Sequence, residues 1–128
     1  MSKQLKADHP LEGLVVLELG TSVAGPFATE VLAEMGATVI KIENPKGGDD
    51  ARSWGPPFMG EDSAVFHALN RNKYSVSVDL KMPDQVDRLR NFILDKVDVV
   101  VQNMLPGTVV RLGIGPELSQ RSPRLIYC

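Results

Sequence analysis

Two short aliphatic runs with a helix-patterned segment between them constrain this chain more than any other feature. Leu14-Val15-Val16-Leu17-Glu18-Leu19 ends at Gly20, and Thr38-Val39-Ile40-Lys41-Ile42-Glu43 follows Gly36-Ala37. Such near-continuous runs suit parallel strands, which are covered on both faces and so must be apolar on both. Between them Phe27, Val31, Leu32 and Met35 recur at helical spacing. Pro26 fits a first helical turn, where its missing N–H costs nothing, and Gly36 is a natural stop. Strand, helix and strand in this order form a βαβ unit.

The rest of the chain continues the alternation. Residues 44–62 hold three prolines, four glycines and Trp54 and read as a long loop, which in a compact domain is usually functional. A short helix is expected over 64–69, a half-exposed strand over 74–80, and a helix over 83–96 with Val86, Leu89, Ile93 and Val97 in one stripe. A buried strand over 98–102, short helices over 109–112 and 116–120, and a last strand over 124–128 complete the pattern. The fold class is therefore α/β, a Rossmann-like open, mostly parallel sheet with helices on both faces. Residues 1–10 read as a polar tail and 11–128 as the N-terminal part of one such domain. The sequence stops inside an apolar strand, and the expectation is a truncated domain.

Composition removes several function classes. Sixteen acidic residues against 14 basic ones, with a net charge of −2, do not suit a protein built to neutralise a phosphate backbone. Nucleic acid is not an expected partner. The one cysteine, Cys128, makes neither an internal disulfide nor a cysteine metal site, and it reads as a small apolar strand residue. No metal is expected. With no apolar run of membrane length and no signal-type start, no membrane association is expected and the chain reads as cytoplasmic.

Ligands of open α/β sheets bind outside the carboxyl ends of the strands. That rule selects Gly20-Thr21-Ser22-Val23-Ala24-Gly25-Pro26, the region 44–52, Lys81 with its neighbours, and the region 103–111. The first segment offers amides and two hydroxyls at a helix start, yet it is neither a Gly-x-Gly-x-x-Gly nor a Walker pattern. Glu43 ends the second strand, where acidic residues of dinucleotide enzymes hold a ribose. Adjacent Asp49 and Asp50 read as solvated or capping groups rather than a catalytic pair. His9 and His67 have no neighbours that make a triad or a metal site. Asn103 follows a buried strand directly, and Arg111 stands one helical turn beyond Gly107, able to grip a phosphate.

Together these segments resemble family III (CaiB/BaiF-type) CoA-transferases. The likeness rests on Leu11-Glu12-Gly13-Leu14-Val15-Val16-Leu17-Glu18, Ala24-Gly25-Pro26, and Leu32-Ala33-Glu34-Met35-Gly36-Ala37-Thr38-Val39-Ile40-Lys41-Ile42-Glu43. It continues through Gly48-Asp49 with Arg52, Asn70-Arg71-Asn72-Lys73-Tyr74-Ser75, Asp79-Leu80-Lys81, Asp98-Val99-Val100-Val101-Gln102-Asn103, Pro106-Gly107 and Arg111-Leu112-Gly113. The resemblance implies a Rossmann-like large domain, a small domain and an interlocked homodimer. It also implies passage of CoA from an acyl-CoA to a carboxylic acid through intermediates on an aspartate. By position, Val23 and Ala24 would line the coenzyme A site through their backbone, and Asn44 would lie near the adenine–ribose end, where some members carry arginine. Val78, Asp79, Leu80, Lys81, Asn103, Met104, Leu105 and Arg111 would complete the site, with Lys81 and Arg111 as phosphate partners. No aspartate here matches the family's nucleophile, whose position falls beyond Cys128. No catalytic residue is therefore expected in this chain, which alone would be inactive.

Two other readings stand beside the transferase. One is an α-methylacyl-CoA racemase-type member of the same family, which removes and returns an α-proton. The other is a non-catalytic nucleotide-binding module.

Overall fold

The computed structural model describes residues 9–128, so most of the expected N-terminal tail lies outside the described residues. The opening unit forms as its pattern requires: Val15–Leu19 (β1), Ala24–Glu34 (α1) and Thr38–Glu43 (β2). Strands β1 and β2 pair in parallel with Glu18 opposite Lys41. Helix α1 ends where Gly36 takes φ +100°, and the amides of Gly36 and Ala37 turn back to the carbonyls of Ala33 and Leu32. That double closure needs a left-handed residue, which glycine supplies without strain.

The glycine- and proline-rich segment is more ordered than a loop. It contains a 3-10 turn at Asp50–Ser53 and an antiparallel pair, Phe58–Met59 (β3) with Asp62–Ser63 (β4), that the sequence pattern did not show. Arg52 is the rivet: it binds both carboxylate oxygens of Glu43 at 2.8 and 2.7 Å and Asp62 at 2.8 Å. Its guanidinium also lies 3.8 Å over the Phe66 ring. Ser63 caps Ala64–Leu69 (α2), accepting from the Phe66 amide and donating to the Ala51 carbonyl.

Lys73–Ser77 (β5), Pro83–Lys96 (α3), Val99–Gln102 (β6), Thr108–Arg111 (α4), a 3-10 turn at Pro116–Gln120 and Ile126–Tyr127 (β7) follow. The main sheet has the order β5-β2-β1-β6-β7, and every pair in it is parallel. The chain winds outward from β1 through β2 to β5, then returns to add β6 and β7 on the other side. Strand order thus reverses between β1 and β6, and folds of this kind bind ligands at the carboxyl ends of the strands near such a reversal.

Helices cover both faces, because side chains alternate along each strand. Val16 and Val39 pack with Ala33 and Ala37 beneath α1. Leu17, Leu19 and Val100 pack with Val86, Leu89 and Ile93 of α3 in the larger core, which Val109, Ile114 and Leu118 extend. Two expectations are corrected at the edges. Strand β5 stops at Ser77 instead of reaching Leu80, because Asp79 folds the chain into a turn: its carboxylate accepts from the Lys81 amide and its carbonyl from the Met82 amide. The last strand covers only Ile126–Tyr127 of the expected 124–128, and Cys128, expected as a small apolar strand residue, follows it and is exposed.

Candidate functional site

The site begins where β1 hands over to α1. Gly20 and Gly25 approach so closely that a Cβ on either would stand 3.0 Å from the other's Cα, with Asn103 Oδ1 at 3.1 or 3.2 Å. Only glycine at both positions lets the strand end fold against the helix start with a third chain segment beside them. Asn103 closes this corner, accepting from the Thr21 amide at 3.0 Å and donating to the Thr21 carbonyl at 2.9 Å. Its amide group therefore clamps the turn instead of standing free at the sheet edge.

Beneath the turn lies an ion cluster that sequence reasoning missed. Glu18, fully buried, takes Lys41 Nζ at 2.5 Å on one oxygen, and Thr29 Oγ1 at 2.5 Å and Lys73 Nζ at 2.9 Å on the other. Lys41 also donates to the Gly20 carbonyl at 2.9 Å, and Lys73 to the Pro26 carbonyl at 2.7 Å. Asp49 Oδ1 accepts from the amides of Ser22 and Ala51, each at 2.9 Å. Its second oxygen lies 2.8 Å from Lys41 Nζ but receives no well-directed hydrogen bond, so charge alone holds it. Two lysines and two carboxylates balance. Burial pushes the Lys73 ammonium below its usual range, against the pull of Glu18. Asp49, expected to be solvated or capping, caps the 3-10 turn and is buried.

Glu43 is spent in the same way. Arg52, Ser75 and the Asp49 amide place four donor contacts on its two oxygens. A carboxylate has about four such sites, so none is left for a ribose hydroxyl. Burial pushes its carboxyl up, but those donors outweigh it and hold the group at about 2.

Above this base a cleft of about 210 Å³ opens at the carboxyl ends of β1 and β2. Leu19, Ile42, Val78, Leu80 and Met104 make it largely apolar, Gly20 and Thr21 form one wall, and Asn44, Asp79 and Lys81 stand around it. Six residues from the sequence reading thus come together: Asn44, Val78, Asp79, Leu80, Lys81 and Met104. Four of them, Val78, Asp79, Leu80 and Lys81, follow directly on the early end of β5 and line the cleft. Val23, Ala24, Asn103, Leu105 and Arg111 do not line it. Val23 and Leu105 are exposed, and among the described residues the Arg111 guanidinium hydrogen-bonds the Thr108 hydroxyl alone, at 3.2 Å. His67 is exposed, with a ring nitrogen 3.2 Å from the Met59 carbonyl and its ring edge-on to Phe66. The arrangement can cradle a flat or aliphatic group on an apolar floor with a cation at its rim. Among the described residues, no helix is long and apolar enough to cross a membrane.

Comparison with known proteins gives a consistent result. Residues 11–128 match the family described as CoA-transferase family III. The human succinyl-CoA:glutarate CoA-transferase is 44% identical over 120 residues, covering 93% of this chain and 27% of that protein. The acetyl-CoA:oxalate CoA-transferase of Acetobacter aceti is 42% identical over 124 residues, covering 95% of this chain and 31% of its own length. A crystal structure of a CaiB/BaiF family protein from Brucella suis superposes with a TM-score of 0.86 at 40% identity, over 93% of this chain and 32% of that one. The chain therefore spans about three-tenths of the length of these relatives.

Proposed function

The chain belongs to CoA-transferase family III, and from that premise we propose that its cleft is the coenzyme A half-site of an acyl-CoA transferase. The transferase moves CoA from an acyl-CoA to a carboxylic acid through a covalent aspartyl intermediate. The observation that carries the reading is the gathering of Asn44, Asp79, Lys81 and an apolar floor at the carboxyl ends of β1, β2 and β5, with Met104 reaching in from beyond β6. Leu19, Ile42, Val78 and Met104 accept the base, and Asn44 lies at its sugar side. Lys81, with Arg111 further along the crevice, meets the phosphates. The backbone of Val23 and Ala24 at the start of α1 follows the extended arm.

The resemblance to the family puts the aspartate nucleophile beyond Cys128, and Asp49, the buried aspartate among the described residues, is committed to Lys41, Ser22 and Ala51. In that reaction the carboxylate attacks the thioester carbonyl and CoA leaves as thiolate. The thiolate then attacks the aspartyl carbonyl of the mixed anhydride and releases the donor acid. This chain's part is to hold the nucleotide end while the thiol end moves between the two. An interlocked homodimer and a cytoplasmic setting complete the proposal.

Isothermal titration of the chain with CoA, using NAD as the control, tests the reading. Saturable binding of CoA but not NAD, weakened in Lys81→Ala and in Arg111→Ala, is expected. Folded protein that binds neither, or NAD as tightly as CoA, refutes a preformed CoA half-site.

A further inference from the structure

We infer that Lys41 and Asp49 are positioning residues: with Glu18 as hub, they hold the turn at residues 20–22 in the conformation that walls the cleft before any ligand arrives. Side chains from four separate parts of the chain grip this corner. Lys41 on β2 holds the Gly20 carbonyl, and Asn103 after β6 holds both polar groups of the Thr21 backbone. Asp49, from the glycine- and proline-rich segment, holds the Ser22 amide, and Lys73 on β5 holds the Pro26 carbonyl. Ser22 needs the grip most, since it sits at φ +68°, a region unfavourable for a residue with a side chain.

Stability alone does not account for the cluster. Burying two lysines and two carboxylates is costly, and apolar residues of similar volume usually serve a core as well or better. What the charges do that apolar residues cannot is bond to backbone groups of one turn. Gly20 and Thr21, whose backbone Lys41 and Asn103 hold, line the cleft, Asp49 lines it beside them, and Ser22 is the next residue of the same turn. A wall ordered in advance spares the ligand the entropy of ordering it.

The inference rests on the CoA-binding reading for its ligand, but its structural half is tested separately. The variant of choice is Lys41→Met with Asp49→Ala, which leaves Glu18 and Lys73 as a neutral pair. It is compared with the unaltered chain and with Ile93→Val, a core change on the other face, by thermal melting, amide hydrogen exchange and CoA titration. The double variant is expected to melt near the unaltered chain, to exchange the Ser22 amide at least about tenfold faster, and to bind CoA about tenfold more weakly. Ile93→Val is expected to lower the melting point with neither of the other changes. A double variant that melts earlier while Ser22 exchange and CoA affinity stay put shows a merely structural cluster and overturns the inference.

If the double variant does not fold, Asp49→Asn takes its place. Because it keeps an acceptor for Ser22 and removes only the charge facing Lys41, it is read beside Asp49→Ala, which removes the acceptor: unchanged Ser22 exchange and CoA affinity in Asp49→Ala overturn the inference. The unaltered chain is decisive in its own right: a Ser22 amide exchanging at open-chain rates means that no grip exists. If the unaltered chain binds no CoA, the proposed function fails while Ser22 exchange still decides the positioning.

Discussion

Replacing Glu43 with glutamine tests the electrostatics of the site most directly. The Glu43 side chain is 5% exposed, and its carboxyl is held at about 2, against 4.5 for the free group. Burial alone raises it; the hydrogen bonds from Arg52, Ser75 and the Asp49 amide reverse that effect. A carboxyl depressed on folding adds stability that is fully present above its unfolded value and disappears as pH falls through its folded value. A carboxyl held at about 2 rather than 4.5 is worth a few kcal/mol at pH 7, under half of that by pH 3 and almost nothing by pH 2. Glutamine is nearly the shape of protonated glutamic acid, so unaltered chain and Glu43→Gln should converge in acid. Urea unfolding of both proteins from pH 7 to pH 2.5 measures the gap. A gap that stays constant across that range, or stays below about 1 kcal/mol at pH 7, refutes the assignment, because a paired carboxylate must lose its advantage on protonation.

Three further outcomes are expected. Ser63→Ala removes a cap that both accepts from Phe66 and donates to Ala51, and should cost about 1–2 kcal/mol in chemical denaturation. Ile93→Ala empties a fully buried position of the α3 core and should cost about 2–5 kcal/mol by the same measurement. Lys81→Ala, at an exposed position, should leave the melting point in place while weakening CoA binding in titration, and added salt should narrow that difference because exposed charges are screened.

Much of the fold is legible in the sequence because strands and helices here obey different periods. Thr38–Glu43, Ala64–Leu69 and Pro83–Lys96 lie where their patterns place them. The departures have local causes. The pattern carries β5 three residues too far, because alternation continues through Val78 and Leu80 while the Asp79 carboxylate favours a turn. The β3–β4 pair leaves no trace in the pattern, because two residues per strand carry no period at all.

The site divides along a different line. Residues that face the cleft sit just past strand ends, and topology alone marks such places, which is why Asn44, Lys81 and Met104 stand out in the sequence. Residues that hold the cleft sit inside strands, where a charge in an aliphatic run looks like the solvated face of an edge. Yet one signal is available. Each of the first two aliphatic runs carries a charge of opposite sign in its interior, Glu18 and Lys41, and opposite charges on neighbouring buried strands must pair, although the register that sets them side by side, Val15 opposite Thr38, comes from the fold. Asp49 offers no such signal. Its place depends on residues 44–62 folding back until a carboxylate reaches under Ser22, and that return is fixed by Arg52 gripping Glu43 and Asp62. Contacts of that kind depend on register and chain return together, so the groups that preset this cleft are the ones a linear pattern reveals last.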